Sequence, residues 1–416
     1  MSNKEEKEIS SIFSNDEIID KKKKKKKKRK SFSSSEVILL LVLTVIISMS
    51  MGYFVSFKLG SNKISDDMKN FITEFEDVTN NYYEKVDEKE LLNKALKSVI
   101  NSLGDPYSGT IDSSMSNSID TELNGSYSGF GIEITSTKEN YIKIVNVIED
   151  SPAEKAKLQS GDIILKLDGE SVEGLSITDF SSKVKASQKQ IMALVIKRGE
   201  QELEVSITRE IVQLKSVAGE IFEKNNKRIA YIYISIFAAN TDKQFSELLT
   251  SFEKEGFDSL IIDVRDNSGG HLTSVENIIS LFLNKTKVMY QIDDKGSITK
   301  HYSKGTKNVK YPIAILINGI SASASEMLAA SLQEQCKATL IGEKTFGKGT
   351  VQEVKNSSAD IQYKITTKKW LTPKGVWIHE KGIKPDIEVK LSEEYYKNPS
   401  NETDNQLNNA IEELLK

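Results

Sequence analysis

Cysteine and histidine are scarce: the 416 residues hold one cysteine, Cys336, and three histidines, His271, His301 and His379. One cysteine excludes an intrachain disulfide, so packing alone must hold the fold. Cys336 has no histidine near it in sequence and reads as a small core residue. None of the three histidines stands in a recognisable catalytic context, so a Ser-His-Asp triad is poorly supplied. Histidine, cysteine and carboxylate residues do not cluster at ligand spacings, and the expectation is no metal and no organic cofactor.

Basic charge is nearly confined to one end. Residues 1–30 carry 12 Lys or Arg against 6 Asp or Glu, which leaves −9 on the remainder of a chain whose net charge is −3. An acidic body argues against nucleic acid as a partner. Lys21 to Lys30 are ten consecutive cations, a block that stays solvated or lies against anionic lipid. Val37 to Phe57 then has no charged residue over 21 positions. At about 1.5 Å per residue this matches the roughly 30 Å of a hydrocarbon core and predicts one membrane-spanning helix. The apolar stretch is long and no A-x-A pattern follows it, which favours an uncleaved anchor over a signal peptide. Basic residues stay inside, so the N-terminus is expected in the cytoplasm and everything after Lys58 outside the cytoplasmic membrane.

From Ser65 to Leu103, apolar residues recur at steps of three and four: Met68, Phe71, Phe75, Val78 and Tyr82, then Leu91, Leu92, Ala95, Leu96, Val99 and Ile100. Two amphipathic helices are predicted, the second stopped by Gly104-Asp105-Pro106. A linker follows to about Leu123. Residues 124–210 change to short alternating strands, such as Ile142 to Val145 and Ile191 to Ile196, around one helical piece near Ser151 to Leu158. Past Glu210 the texture is α/β. Strands are predicted at Arg228 to Phe237, Phe257 to Val264, Tyr311 to Asn318 and Ala338 to Gly342, with a helix over Thr241 to Glu255, all in one mixed sheet. The apolar run Ile313 to Ile317 implies a central strand buried on both faces.

Two motifs carry chemistry. Ser321-Ala322-Ser323-Ala324-Ser325-Glu326 lies between a strand end and a helix start, where free N–H groups and the helix dipole favour a developing oxyanion. Ser323 is the candidate nucleophile, although Ser323-x-x-Glu326 reads equally as a capping box. Small alanines on either side leave room for a substrate backbone. Lys348, between Gly347 and Gly349, is the candidate base; its pKa must fall from about 10.4 towards 7–8 by burial away from carboxylates. Gln352 can orient its amine without holding it charged.

Gly129-Phe130-Gly131-Ile132, with Ser151-Pro152-Ala153 and Gly161-Asp162-Ile163-Ile164, resembles a PDZ domain. Such a loop turns backbone N–H groups on a carboxylate, and the next strand offers an edge to an extended peptide, so Gly129, Phe130, Gly131 and Ile132 are the expected substrate-binding residues. Lys157 stands where that pattern has glycine. The serine cluster, with Gly342-Glu343-Lys344-Thr345-Phe346-Gly347-Lys348-Gly349-Thr350-Val351-Gln352, resembles the C-terminal processing, or tail-specific, serine peptidases. The resemblance covers residues 65–390 and extends to Asp105-Pro106, Thr372 to Gly375 and Gly382 to Ile387.

It implies Ser323 as nucleophile, Lys348 as base, Gln352 as supporting amide, and an oxyanion hole from the N–H groups of Gly269 and Ala324. It also implies a gating arginine at the end of a PDZ helix, a place where Val184-Lys185-Ala186 offers only lysine. The expected fold class is α/β: basic tail (1–36), transmembrane helix (37–57), helical region (58–123), PDZ-like β-rich domain (124–210), crotonase-like mixed α/β peptidase core (211–390) and helical tail (391–416). The expected function is a membrane-anchored serine endopeptidase acting on proteins with exposed apolar C-termini. An adaptor protein and a homodimer through residues 65–103 are further expected partners, a plain structural brace being the equal alternative. An inactive PDZ-bearing scaffold is the runner-up. A crotonase-like acyl-transforming enzyme fits the α/β layout but not the PDZ-like module. Richness in Lys and Asn points to a bacterial source.

Overall fold

The computed structural model describes residues 33–59, 64–111, 123–138, 140–306, 308–356 and 362–416. The lysine run Lys21 to Lys30 and most of the linker before Leu123 lie outside them. The described chain forms two units that meet in sequence between Val86 and Asp87.

The first unit holds α1 (Ser34–Leu59) and α2 (Asp66–Asn81). The described side chains of α1 end at Met51, short of the Phe57 expected from the sequence. Among the described residues no helix is long and apolar enough to cross a membrane. Helix α2 starts where the Ser65 side chain accepts from the Met68 amide, and it buries none of its residues.

The second unit opens with α3 (Glu88–Asn101), capped by Asp87, and β1 (Gly109–Ile111). Strand β1 falls in what the sequence suggested was linker. The β-rich module then runs β2 (Ser126–Gly129), β3 (Ile132–Ser136), β4 (Ile142–Val147), α4 (Pro152–Lys155), β5 (Ile163–Leu167), β6 (Glu170–Ser171), α5 (Ile177–Ala186), β7 (Ile191–Arg198), β8 (Gln201–Thr208) and β9 (Glu210–Gln213). Its sheet has the order β3-β4-β5-β7-β8, and β2 pairs with β9 as a separate ribbon. Ile142, Ile144, Ile164, Leu194 and Ile196 fill the core under Phe180. Helix α5 ends at Ala186, where the resemblance put the end of a PDZ helix; its own periodic signal is weak, because only Phe180 and Val184 are buried along it. Lys157 has φ 60°, so it takes the left-handed conformation despite its side chain.

The third part begins with β10 (Val217–Lys224), β11 (Lys227–Ile234), α6 (Thr241–Glu255), β12 (Ser259–Asp263), α7 (Leu272–Phe282), β13 (Val288–Asp294) and β14 (Ser297–Tyr302). It continues with β15 (Ile313–Ile317), α8 (Ala324–Cys336), β16 (Thr339–Gly342), β17 (Thr350–Asn356), β18 (Gln362–Leu371), β19 (Ile387–Glu388), α9 (Glu393–Lys397) and α10 (Asn405–Leu414). The central sheet has the order β10-β11-β12-β15-β16-β19 and is parallel from β11 onward. Every residue of β12 and β15 is buried. Leu260, Ile262, Ile313 and Ile315 face a core shared with α6, α7 and α8. Their neighbours Ile261, Ala314 and Leu316 pack with Leu407, Ala410 and Ile411 of α10 on the opposite face. The predicted two-sided burial is therefore present, because helices cover both faces.

One expectation is corrected. The core holds two sheets rather than one: β13, β14, β17 and β18, joined by β1, form a separate sheet of order β1-β18-β13-β14 with β17 on β18. These strands are buried over at most three residues in a row and otherwise partly or fully exposed, so they lack the long apolar runs that revealed the central strands.

Candidate active site

Strand β15 ends at Ile317 and the chain turns through residues 318–323 into α8. Ser321 and Ser323 stand in that turn and Ser325 just inside α8, and their hydroxyls are spent differently. Ser321 is fully buried and donates to the Val264 carbonyl (2.7 Å). Ser325, equally buried, donates to the Asn267 carbonyl (2.8 Å). Both bonds tie the turn to the loop after β12. Ser323 is half-buried; it pairs with Glu326 in a capping box, its hydroxyl donates to no backbone carbonyl among the described residues, and its backbone sits at φ 53°, ψ −111°. Such a conformation costs a non-glycine residue on the order of 1–3 kcal/mol, so the surrounding contacts must impose it.

Glu326 supplies much of that constraint. Its side chain is fully buried and accepts four hydrogen bonds. Oε1 takes the Thr345 hydroxyl (2.6 Å) and the Gly347 amide (2.7 Å); Oε2 takes the amides of Ser323 (2.8 Å) and Lys348 (2.9 Å). The serine turn and the lysine loop are thus hung on one carboxylate oxygen. Burial pushes the Glu326 carboxyl above the usual carboxylate range, and the four donors act against that push. The sequence reading treated Glu326 only as half of a capping box; its position three residues after Ser323 was the available signal.

Lys348 follows Gly347, whose φ of 95° makes the sharp turn expected of it. The Lys348 carbonyl accepts from Trp370 Nε1 (2.7 Å), and its Nζ stands 5.2 Å from the centre of the Tyr107 ring. Among the described residues no hydrogen bond or ion pair reaches Nζ. Burial, helped by the Lys364 charge, lowers the amine's pKa, while Glu326 and Asp105 act in the opposite sense. The amine is therefore not away from carboxylates, as the sequence reading required; burial outweighs them. Gln352 does not touch Lys348. Its Nε2 donates to the hydroxyls of Thr350 (3.0 Å) and Thr366 (3.1 Å).

Gly269 and Ala324 are brought to Ser323. A Cβ on Gly269 would stand 2.9 Å from Ser323 Cβ and 3.1 Å from the Ala324 nitrogen, and its φ of 110° also favours glycine. Ala324 is the first residue of α8, so its N–H has no acceptor within the helix. The Gly269 N–H, by contrast, donates to Asn267 Oδ1 (2.9 Å).

Known proteins share this arrangement of segments. Residues 228–389 match peptidase family S41, 143–198 match a PDZ domain, and 49–115 match the activating protease CtpB N-terminal domain. The carboxy-terminal processing protease CtpA of Bacillus subtilis is 35% identical over 319 residues, which is 76% of this chain and 68% of that protein. CtpB of the same organism is 34% identical over 328 residues, 78% of this chain and 68% of CtpB. A probable CtpA-like serine protease of Staphylococcus aureus is 31% identical over 352 residues, 83% of this chain and 70% of its own.

The chain is a C-terminal processing serine protease of family S41.

The PDZ domain of this protease presents β3 as a sheet edge after the Gly129 to Ile132 loop. Gly129 lies on the Tyr127 ring, where a Cβ would come within 2.4 Å of Cε2, and Gly131 at φ 82° lies on Ser151. The Phe130 carbonyl accepts from Ala153 (2.8 Å) and that of Gly131 from Ile148 (2.9 Å), which fixes the loop against α4. Val184 and Lys185, where the sequence offered lysine in place of a gating arginine, do meet an arginine. Arg209 Nη1 donates to both of their carbonyls (2.8 and 3.2 Å) and ties the end of α5 to the residue before β9.

Of the three histidines, His379 alone approaches the lysine loop, stacked on Trp377 and 5.9 Å from the Tyr107 ring between centres. Cys336 is half-buried, and burial raises its thiol pKa, as suits an inert core residue. Among the described residues no group of His, Cys, Asp and Glu could hold a metal ion.

Proposed function

We propose that this protease cleaves protein substrates with a Ser323–Lys348 dyad, after its PDZ domain has captured the substrate's apolar C-terminal tail. One observation supports the dyad most directly. The Ser323 and Lys348 amides, 25 positions apart, donate to the same Glu326 oxygen, and Ser323 is the cluster's one hydroxyl that donates to no backbone carbonyl among the described residues.

In this reading the neutral Lys348 amine takes the Ser323 proton as Oγ bonds to the scissile carbonyl carbon. Negative charge gathers on the carbonyl oxygen, which the N–H groups of Ala324 and Gly269 receive. Gly269 must first release Asn267 Oδ1, so assembling the hole accompanies substrate binding. Lys348 then protonates the leaving amine, and the C–N bond breaks to leave an ester on Ser323. Water attacks that ester, giving its proton to Lys348, and Ser323 recovers its hydrogen. Gln352, its Nε2 held by Thr350 and Thr366 and its carboxamide oxygen free of partners among the described residues, would have to turn towards Lys348 to orient the ammonium during the cycle. The Gly129 to Ile132 loop receives the tail's carboxylate, and β3 pairs with its backbone.

In this reading the apolar stretch Val37 to Phe57, behind a basic tail, would anchor the protease in the cytoplasmic membrane, N-terminus inside and peptidase outside. Residues 65–103 would serve a homodimer contact or a structural brace, and an adaptor protein would be a further partner. The test is cleavage of an unfolded protein such as β-casein by the full-length chain near neutral pH. Loss of activity in both Ser323→Ala and Lys348→Ala is expected. Equal cleavage by both variants and wild type would sink the dyad, and no cleavage by any of them would favour a PDZ-bearing scaffold.

A further inference from the structure

The turn between α3 and β1 reaches the peptidase site, although nothing in the dyad chemistry requires it. We propose that Tyr107 is a positioning residue whose ring face seats the Lys348 amine where hydrogen-bond acceptors are absent. The proposal rests on Lys348 being the base.

Three features build the seat. First, the ring is rigidly delivered. Asp105 Oδ1 accepts from the Tyr107 amide (3.1 Å) and Oδ2 from the Ser108 hydroxyl (2.5 Å), while Ser108 Oγ accepts from the Thr366 amide (3.0 Å). Beyond Ser108, β1 pairs antiparallel with β18, with Gly109 opposite Lys364. The ring itself is flanked by His379. Second, Lys348 Nζ lies 5.2 Å from the ring centre, within the roughly 6 Å over which a cation is held by an aromatic face. It has no hydrogen bond or ion pair among the described residues, which leaves the ring face as its specific contact. Third, Thr366 links two parts of the site: its amide reaches Ser108, and its hydroxyl accepts from Gln352. The turn from the N-terminal helical region therefore meets both the lysine and its supporting amide.

A ring suits this task better than a carboxylate. It attracts an ammonium without accepting a proton, and it lets a neutral amine depart towards Ser323. The charged groups facing the amine are Glu326 from α8, Asp105 from the turn and Lys364 from β18. Burial, with Glu326, Asp105 and Glu380, pushes the Tyr107 phenol up, so the ring stays neutral while Lys348 titrates.

The test reads the lysine directly. Full-length wild type, Tyr107→Phe, Tyr107→Leu and Tyr107→Trp are labelled with acetic anhydride across pH, and acetylation of the Lys348 peptide is followed by mass spectrometry. Only the neutral amine reacts. Tyr107→Phe keeps the ring and should match wild type. Tyr107→Leu should move the labelling midpoint down by about half a pH unit, because the charged form loses its ring, and Tyr107→Trp should move it up. If Leu and Trp both label like wild type, or if Phe shifts as far as Leu, the seat is refuted. Should Leu fail to fold, Trp decides alone. Casein cleavage separates this from the dyad: shifted midpoints with an active Lys348→Ala variant would leave the seat standing and remove the base.

Discussion

Lys348 and Glu326 hold the least comfortable charges in the site, and each shift has a sign that can be measured. Burial keeps the folded pKa of Lys348 below its unfolded value of about 10.4. Between those two values the unfolded chain binds more protons, so stability rises with pH across that window. Below the folded pKa the full penalty of a buried ammonium is present. Lys348→Met should therefore be more stable than wild type in urea titrations below the folded pKa, and the difference should shrink as pH rises from the folded towards the unfolded lysine value and level off above it. Glu326→Gln should act the opposite way. Each Glu326 oxygen receives two donors, so an amide NH2 in place of either oxygen turns away two of them. Each donor left unsatisfied costs about 1–3 kcal/mol, visible as a lower urea midpoint. Casein cleavage should fall on the order of 100-fold, because the Ser323 turn and Lys348 loop lose their common anchor.

Elements position the oxyanion loop from behind. Arg265, one residue before the Asp266 to Gly270 turn, donates to Asp263 at the end of β12 (2.6 Å), and to Asp404 (2.7 Å) and Gln406 (3.0 Å) at the start of α10. Asp263 also accepts from the Tyr231 hydroxyl (2.8 Å). Burial opposes the Arg265 charge, but Asp263 and then Asp404 more than offset it and raise its pKa. Asp404 further caps α10 by accepting from the Leu407 amide (2.9 Å). Asp404→Ala should cost about 3–5 kcal/mol in urea unfolding, since it leaves a buried guanidinium short of a partner and removes a cap. The caps at Ser65 and Asp87 are local, each side chain accepting from an amide three residues on, whereas this clamp joins residues 139 positions apart and has no local signature.

At the scale of the whole molecule, the apolar runs at residues 259–263 and 313–317 marked the central sheet, and the Gly129 to Ile132 loop marked the PDZ domain. The second sheet and strand β1 were missed because both are stabilised by pairing with distant segments rather than by their own pattern. Sequence alone settled what is local: glycines where φ must be positive, serines at a strand end, one lysine between glycines, and too few histidines for a triad. Tertiary structure alone decided what each residue is free to do. Ser321 and Ser325 spend their hydroxyls on the Val264 and Asn267 carbonyls, and Ser323 does not. Gln352 faces threonines rather than the lysine, and Tyr107 faces it instead. A lysine's proton affinity depends on the charges and apolar mass that other segments bring to it, and chain order does not encode that distance.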